Sequence, residues 1–124
     1  MREIKFRGYS VDIDKWVYGD LLNYCPKLPV ILAIEGEQHE CEASSIGQYT
    51  GLKDKNGTEI YEGDILGKTF HWDLFVRFQN GKFMLYDTNL VRRNNDYTYD
   101  LYRNVVEGYC VIGNIFENPE LIER

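Results

Sequence analysis

Apolar and polar positions alternate with period two along most of this chain, as they do in strands that bury one face. In residues 3–8, EIKFRG, Ile4 and Phe6 fall on the same side, and a first strand is expected there. Asp12 to Lys15 read as a turn and Trp16 to Leu22 as a second strand. The stretch CPKLP then breaks the pattern. Pro26 and Pro29 remove two backbone donors, which suits a loop or a sheet edge. PVILAIEGEQHECEA follows as an apolar run, a Glu35-Gly36 turn and a polar return, the outline of a hairpin.

DLFVRFQNGKFMLYD carries the clearest hairpin signal. If Asn80-Gly81 is a two-residue type I′ loop with both residues at positive φ, Phe78 faces Phe83 and Val76 faces Leu85. That face is wholly apolar. The opposite face pairs Arg77 with Met84 and Phe75 with Tyr86, and is expected to be half-exposed. Beyond it TNLVRRNNDYTYD loses its period and reads as a loop, DLYRNVVEG as a short helix ended by Gly108, and Cys110 to Phe116 as a last strand before a proline-marked exit. The fold class is mainly β with minor α: a small SH3-like or open β-barrel with hairpins and one short helix near the C-terminus. The chain has 124 residues, 44% of them hydrophobic, which suits one domain over residues 1–124.

Charge narrows the partners. Fourteen Lys and Arg against twenty Asp and Glu leave a net charge of −6, a field that repels phosphate backbones and acidic membrane surfaces. The short basic cluster is Arg92-Arg93 with Arg103, interrupted by Asp96 and Asp100, so nucleic acid is a disfavoured partner and a membrane is not expected. Cys25, Cys41 and Cys110 are odd in number and widely spaced, unlike a secreted disulfide framework. The charged start MREIKFRGYS has no apolar core of a signal peptide and no stretch approaches the length of a membrane span, so a reduced cytosol is the expected compartment.

Two segments invite chemical tests. QYTGLKDKNGTEIYEGD, residues 48–64, looks at first like a calcium loop. Setting Gly57 at its sixth position puts Leu52 first and Gly63 twelfth, where an Asp and a bidentate Glu are needed. Asp54-Lys55-Asn56-Gly57 instead matches a type I turn, its Asp side chain accepting from the backbone two residues on. Glu59-Ile60-Tyr61 then returns to extended structure, and Gly63-Asp64 opens a strand at Ile65-Leu66. In QHECE, His39 and Cys41 share one face of a strand, expected to be a solvated edge. With His71 they would be the donors of a zinc site if the fold gathered them. No catalytic, cofactor-binding or metal-binding residue is assigned, and no cofactor is expected.

QYTGLKDKNGTEIYEGDIL (48–66) and VIGNIFENPEL (111–121) resemble the signature blocks of the YopX family of bacteriophage and prophage proteins, and MREIKFRGYS resembles the family's start. The signature positions are Tyr49, Thr50, Gly51, Leu52, Asp54, Asn56, Gly57, Ile60, Tyr61, Gly63 and Asp64 in the first block, and Ile112, Gly113, Asn114, Ile115, Glu117, Asn118 and Pro119 in the second. The resemblance implies a small, mostly β protein made in a bacterial host's cytoplasm, and it supplies no catalytic residue. The reading that follows is a phage accessory protein acting by protein binding, as a homo-oligomer or on a host or phage protein. The alternative is a nucleic-acid-binding barrel; a metal-assisted enzyme using His39, Cys41 and His71 comes third.

Overall fold

The computed structural model describes residues 3–22, 28–87 and 98–122. By its internal contacts the chain divides into two compact units, Met1–Gly51 and Leu52–Arg124.

Unit 1 is built from β1 (Phe6–Ser10), β2 (Lys15–Leu22), β3 (Val30–Ala33), β4 (Gln38–Glu40) and the start of β5 (Gly47–Lys53), in the order β4-β3-β2-β1-β5. Its first strand starts later than the alternation predicts. Ile4 is left exposed, and Phe6 is the first residue to pack inward. The β1–β2 turn falls one residue earlier than Asp12 to Lys15 predict, at residues 11–14 with Asp14 at φ 58°, because Lys15 already pairs with Ser10 in β2. The Glu35-Gly36 hairpin also forms: Ala33 N donates to Glu37 O at 2.8 Å and Gly36 N to Ala33 O at 2.9 Å. After β4 the chain returns to β1, where Val11 N donates to Glu40 O and Glu42 N to Tyr9 O on either side of a Ser10–Cys41 bridge. The sheet therefore curls on itself around Val17, Ile31 and Cys41, with Phe6, Leu21 and Ile46 packed against them. The curl leaves no room for side chains at its tightest crossing. A Cβ on Gly19 would overlap the Leu32 carbonyl oxygen.

Unit 2 holds β6 (Glu59–Tyr61), which pairs with β5, and a five-stranded antiparallel sheet. That sheet contains β7 (Asp64–Gly67), β8 (Leu74–Gln79), β9 (Lys82–Asp87), β10 (Thr98–Asp100) and β11 (Cys110–Asn114), in the order β10-β9-β8-β7-β11. The β8–β9 loop has Asn80 at φ 53° and Gly81 at φ 84°, and its register joins Phe78 to Phe83, Val76 to Leu85, Arg77 to Met84 and Phe75 to Tyr86, as the Asn-Gly signal predicts. The expected half-exposed face is corrected. Phe75 and Tyr86 are buried with Ile65 in a second cluster closed by Met84, Ile115, Leu121 and Ile122. The first cluster, on Val76, Leu85, Leu66, Leu74, Ile60, Leu101 and Tyr109, takes the other residues of the same strands. Ile65 and Leu66 are neighbours in sequence and both fully buried, which requires cover on both faces of the sheet. That cover comes from segments distant in sequence, so hairpin alternation alone could not reveal it.

The helix α1 (Leu101–Val106) stands where predicted. Asp100 caps it, its carboxylate accepting from Arg103 N at 2.9 Å. Gly108 follows at φ 108°. Thr98–Asp100, read as part of a loop, is the strand β10, paired with β9 from Tyr86 to Met84. Residues 88–97 of that expected loop, and the CPK of the proline-rich break, lie outside the described residues. The last strand stops at Asn114 rather than Phe116, because Asn114 folds the chain into a turn. The architecture is mainly β in two antiparallel sheets, and among the described residues no barrel closes.

Burial on both faces makes a testable difference. Phe75→Ala should cost about 3–4 kcal/mol in chemical denaturation, as for a core aromatic. Phe78→Ala, on the half of the hairpin that stands in solvent, should cost under about 1 kcal/mol. Comparable small losses for both would restore the half-exposed face.

Candidate functional site

In unit 2 the two signature blocks meet through hydrogen bonds to the Asp54 carboxylate and to the backbone carbonyl of Gly63. Asp54 Oδ1 accepts from Asn56 N at 2.9 Å and from Thr58 N at 3.0 Å, while Gly57 N donates to Asp54 O at 3.0 Å. This is the predicted turn, with Gly57 at φ 83°. The other carboxylate oxygen, Oδ2, accepts from Val111 N at 3.0 Å, fifty-seven residues away. Asp64 is fully buried, and its Oδ2 accepts from Tyr61 N at 2.7 Å across the turn that Gly63 makes at φ 93°. The same Gly63 donates to Val76 O and accepts from Ile115 N, both at 2.8 Å.

The second block is knotted by Asn114. Its Oδ1 accepts from Phe116 N and Glu117 N, its Nδ2 donates to Glu117 Oε1, and its own N donates to Asn118 Oδ1 at 3.1 Å. A Cβ on Gly113 would lie 2.5 Å from Asn118 Oδ1 and displace the carboxamide that accepts from Asn114 N. Ile112 is the extra residue of a β-bulge and points outward, and Pro119 opens the terminal 3₁₀ turn. Ile60, Tyr61, Leu52 and Ile115 fill the cores. At the start of the first block Tyr49 and Thr50 are buried, and Tyr49 N donates to Lys5 O at 2.7 Å, within unit 1. Gly51 sits at φ 90° and Asn56 is exposed in its turn. The signature residues described here turn and pack the chain.

The candidate chemical groups lie elsewhere. His39 and Cys41 are buried rather than on a solvated edge, because the return of the chain onto β1 covers them. His39 Nδ1 is 3.4 Å from Ser10 Oγ, and Nε2 is 3.5 Å from Glu37 Oε2. The order of types mimics a nucleophilic triad, yet Ser10 is fully buried and its Oγ accepts from Asp12 N and Ile13 N. Burial pushes the Cys41 thiol above its ordinary value of 9.0, with the Asp12 charge acting the same way and a backbone hydrogen bond opposing. His71 belongs to unit 2, where it contacts Thr69 O and the Tyr109 ring. Among the described residues no group of three His, Cys, Asp or Glu side chains is placed to hold a metal. Arg103 is exposed and 3.5 Å from Glu107, and Arg92-Arg93 lie outside the described residues.

Two surfaces escaped the sequence reading. The β7–β8 turn, Lys68 to His71, closes with His71 N donating to Lys68 O at 3.0 Å, and its third residue is Phe70 at φ 65°. Phe70 is fully exposed, and Trp72 beside it is 65% exposed. The signal was the absence of Gly, Asn or Asp from KTFHW, residues 68–72, between two strands. In unit 1, Trp16, Ile34, Glu35 and Glu37 line a groove whose signal was Ile34, an apolar residue standing directly before a turn.

The YopX family model, described as YopX protein, matches residues 5–123. This chain belongs to the YopX family. Among solved structures it is similar to the crystal structure of protein EF1440 from Enterococcus faecalis, with a TM-score of 0.55 and 26% identity over 99% of this chain and 100% of that one. No curated protein matches. No helix among the described residues of this YopX protein is long and apolar enough to cross a membrane.

Asp54→Ala should destabilise the protein by about 3 kcal/mol, more than a single turn hydrogen bond, because it strands partners in both signature blocks. Gly57→Ala should cost about 1 kcal/mol through its positive φ alone. Urea melts of both variants check this, and an Asp54→Ala cost no larger than that of Gly57→Ala would separate the carboxylate from Val111.

The thiols supply a second expectation. In a Cys25→Ser background, iodoacetamide at neutral pH should label Cys110, which is half-buried, and spare Cys41 until the protein unfolds. Since the folded pKa of Cys41 is raised, its favourable contribution is complete below 9.0 and declines as pH climbs above that value. Mass spectrometry of the alkylated peptides reads the first outcome. Denaturation at rising pH reads the second.

Proposed function

We propose that this YopX protein is a phage or prophage accessory protein of the bacterial cytoplasm. It acts by binding protein, including further copies of itself, rather than by catalysing a reaction. The observation that carries the reading is Phe70. An aromatic L-residue at φ 65° pays backbone strain on the order of 1–2 kcal/mol. Its full exposure also forgoes roughly 2 kcal/mol of burial. A turn selected for folding alone would carry Gly or Asn at that position.

The burial is recovered if a partner covers the ring, and that gain offsets the backbone strain. Trp72 then supplies a second aromatic anchor on the same loop, and aromatic residues are enriched at the centres of protein interfaces. The phage origin and cytoplasmic setting rest on the resemblance of the signature blocks. Binding rather than catalysis is favoured by the side chains that could act as nucleophiles: Ser10 Oγ is engaged by backbone donors, and Cys41 is buried with a raised pKa.

Phe70→Asn separates binding from folding, because Asn tolerates positive φ. The variant should melt at or above the parent's temperature. Sedimentation equilibrium and native mass spectrometry at low micromolar protein should show self-association in the parent and its loss in the variant. A parent that stays monomeric, or a variant that associates as the parent does, would refute the assignment of the loop.

A further inference from the structure

The β3–β4 hairpin and β2 enclose a groove of about 350 Å³ in unit 1. Trp16, Val17 and Ala33 give it apolar walls, and the outward residues Ile13, Tyr18 and Ile34 extend that apolar surface over its rim. Its carboxylates are Glu35 and Glu37, with the buried His39 behind Glu37, and no Lys or Arg lines it. We propose that this groove takes a basic segment of a partner protein, seating an arginine or lysine side chain along the Trp16 wall with its cationic head toward Glu35 and Glu37.

The chemistry follows from the lining. Two carboxylates at the mouth of an apolar groove attract a cation directly; Arg7 already lies over the Trp16 ring, 4.7 Å from its centroid, so the indole serves the partner's side chain as an apolar wall for its stem. Anions are repelled. A hydrated metal ion would gain nothing from Trp16, Ala33 and Ile34, whereas the aliphatic stem of Arg or Lys buries well against such residues. A small free amine would leave the rim bare. Ile34 is 85% exposed and Ile13 48%, so an apolar neighbour of the basic residue in the partner's chain has a place to lie.

The turn that carries the carboxylates is fixed. Their turn is pinned by the two backbone hydrogen bonds between Ala33 and Gly36 or Glu37, and the Glu37 carboxylate is 3.5 Å from Nε2 of the buried His39. A fixed turn backbone presents both glutamates to the groove before binding, although their side chains stand in solvent. This surface lies in the other unit from Phe70, and its test does not depend on self-association.

The chain has two tryptophans, so Trp72→Phe leaves Trp16 as the only indole. Its emission is followed in that variant while titrating the capped tripeptide Leu-Arg-Leu and its uncharged analogue, Leu-citrulline-Leu. The arginine peptide should give a saturable change that weakens with added salt. The citrulline peptide should bind about tenfold more weakly, and Glu35→Gln/Glu37→Gln should weaken the arginine peptide by a similar factor. The substituted side chains stand in solvent on the turn, and circular dichroism confirms that the double variant is folded. Equal binding of both peptides, no saturable response to either, or unchanged affinity in the double variant would overturn the proposal.

Discussion

Unit 2 depends on one carboxylate that holds two distant stretches of chain. Asp54 organises its own turn with one oxygen and takes the amide of Val111 with the other. The first role is local and would be met in any short peptide with an Asx turn. The second is not. It fixes the start of β11 beside the β5–β6 turn, and β11 in turn pairs with β7 and supplies the end of the five-stranded sheet. Because Asp54 is buried, losing any of its donors leaves a carboxylate oxygen short of a partner, so the turn and the start of β11 stabilise each other.

The signature blocks thus describe a folding device in two halves. Asp54, Gly63 and Asp64 contribute from the first block; the β11 backbone, Asn114 and Ile115 answer from the second. Gly63 joins both: it sits at positive φ, bonds β8 through Val76, and accepts from Ile115. Residues between the blocks need only preserve the sheet and its two cores. Surface features such as Phe70 can change there without touching the device.

Local features were the ones the sequence displayed. Asn80-Gly81, Asp54 to Gly57, the capping Asp100 and Gly108 each act within a few residues, where backbone geometry admits few side chains. What the sequence hid was whatever depends on distant chain segments. Phe75 and Tyr86 read as half-exposed because alternation reports one covered face, and the cover over the second comes from Ile115, Leu121 and Ile122. His39 and Cys41 read as solvated for the same reason, their cover being the return of the chain onto β1. The long-range partner of Asp54 has no sequence mark either, since Val111 contributes only its backbone N–H.

The two candidate binding surfaces are places where local rules were broken and no folding gain offsets the breach. Phe70 takes a conformation suited to glycine and buries nothing. Ile34 puts an apolar side chain into water at a turn where Glu35 and Gly36 follow the usual preferences. By contrast, Asp14 and Asn80 also take positive φ, but they are residue types that tolerate it, and both close hairpins. Positive φ alone therefore marks a turn. Positive φ carried by an exposed aromatic is not explained by turn preference, and that distinction separates the β7–β8 loop from the other described turns and is the ground on which it is proposed as a binding surface.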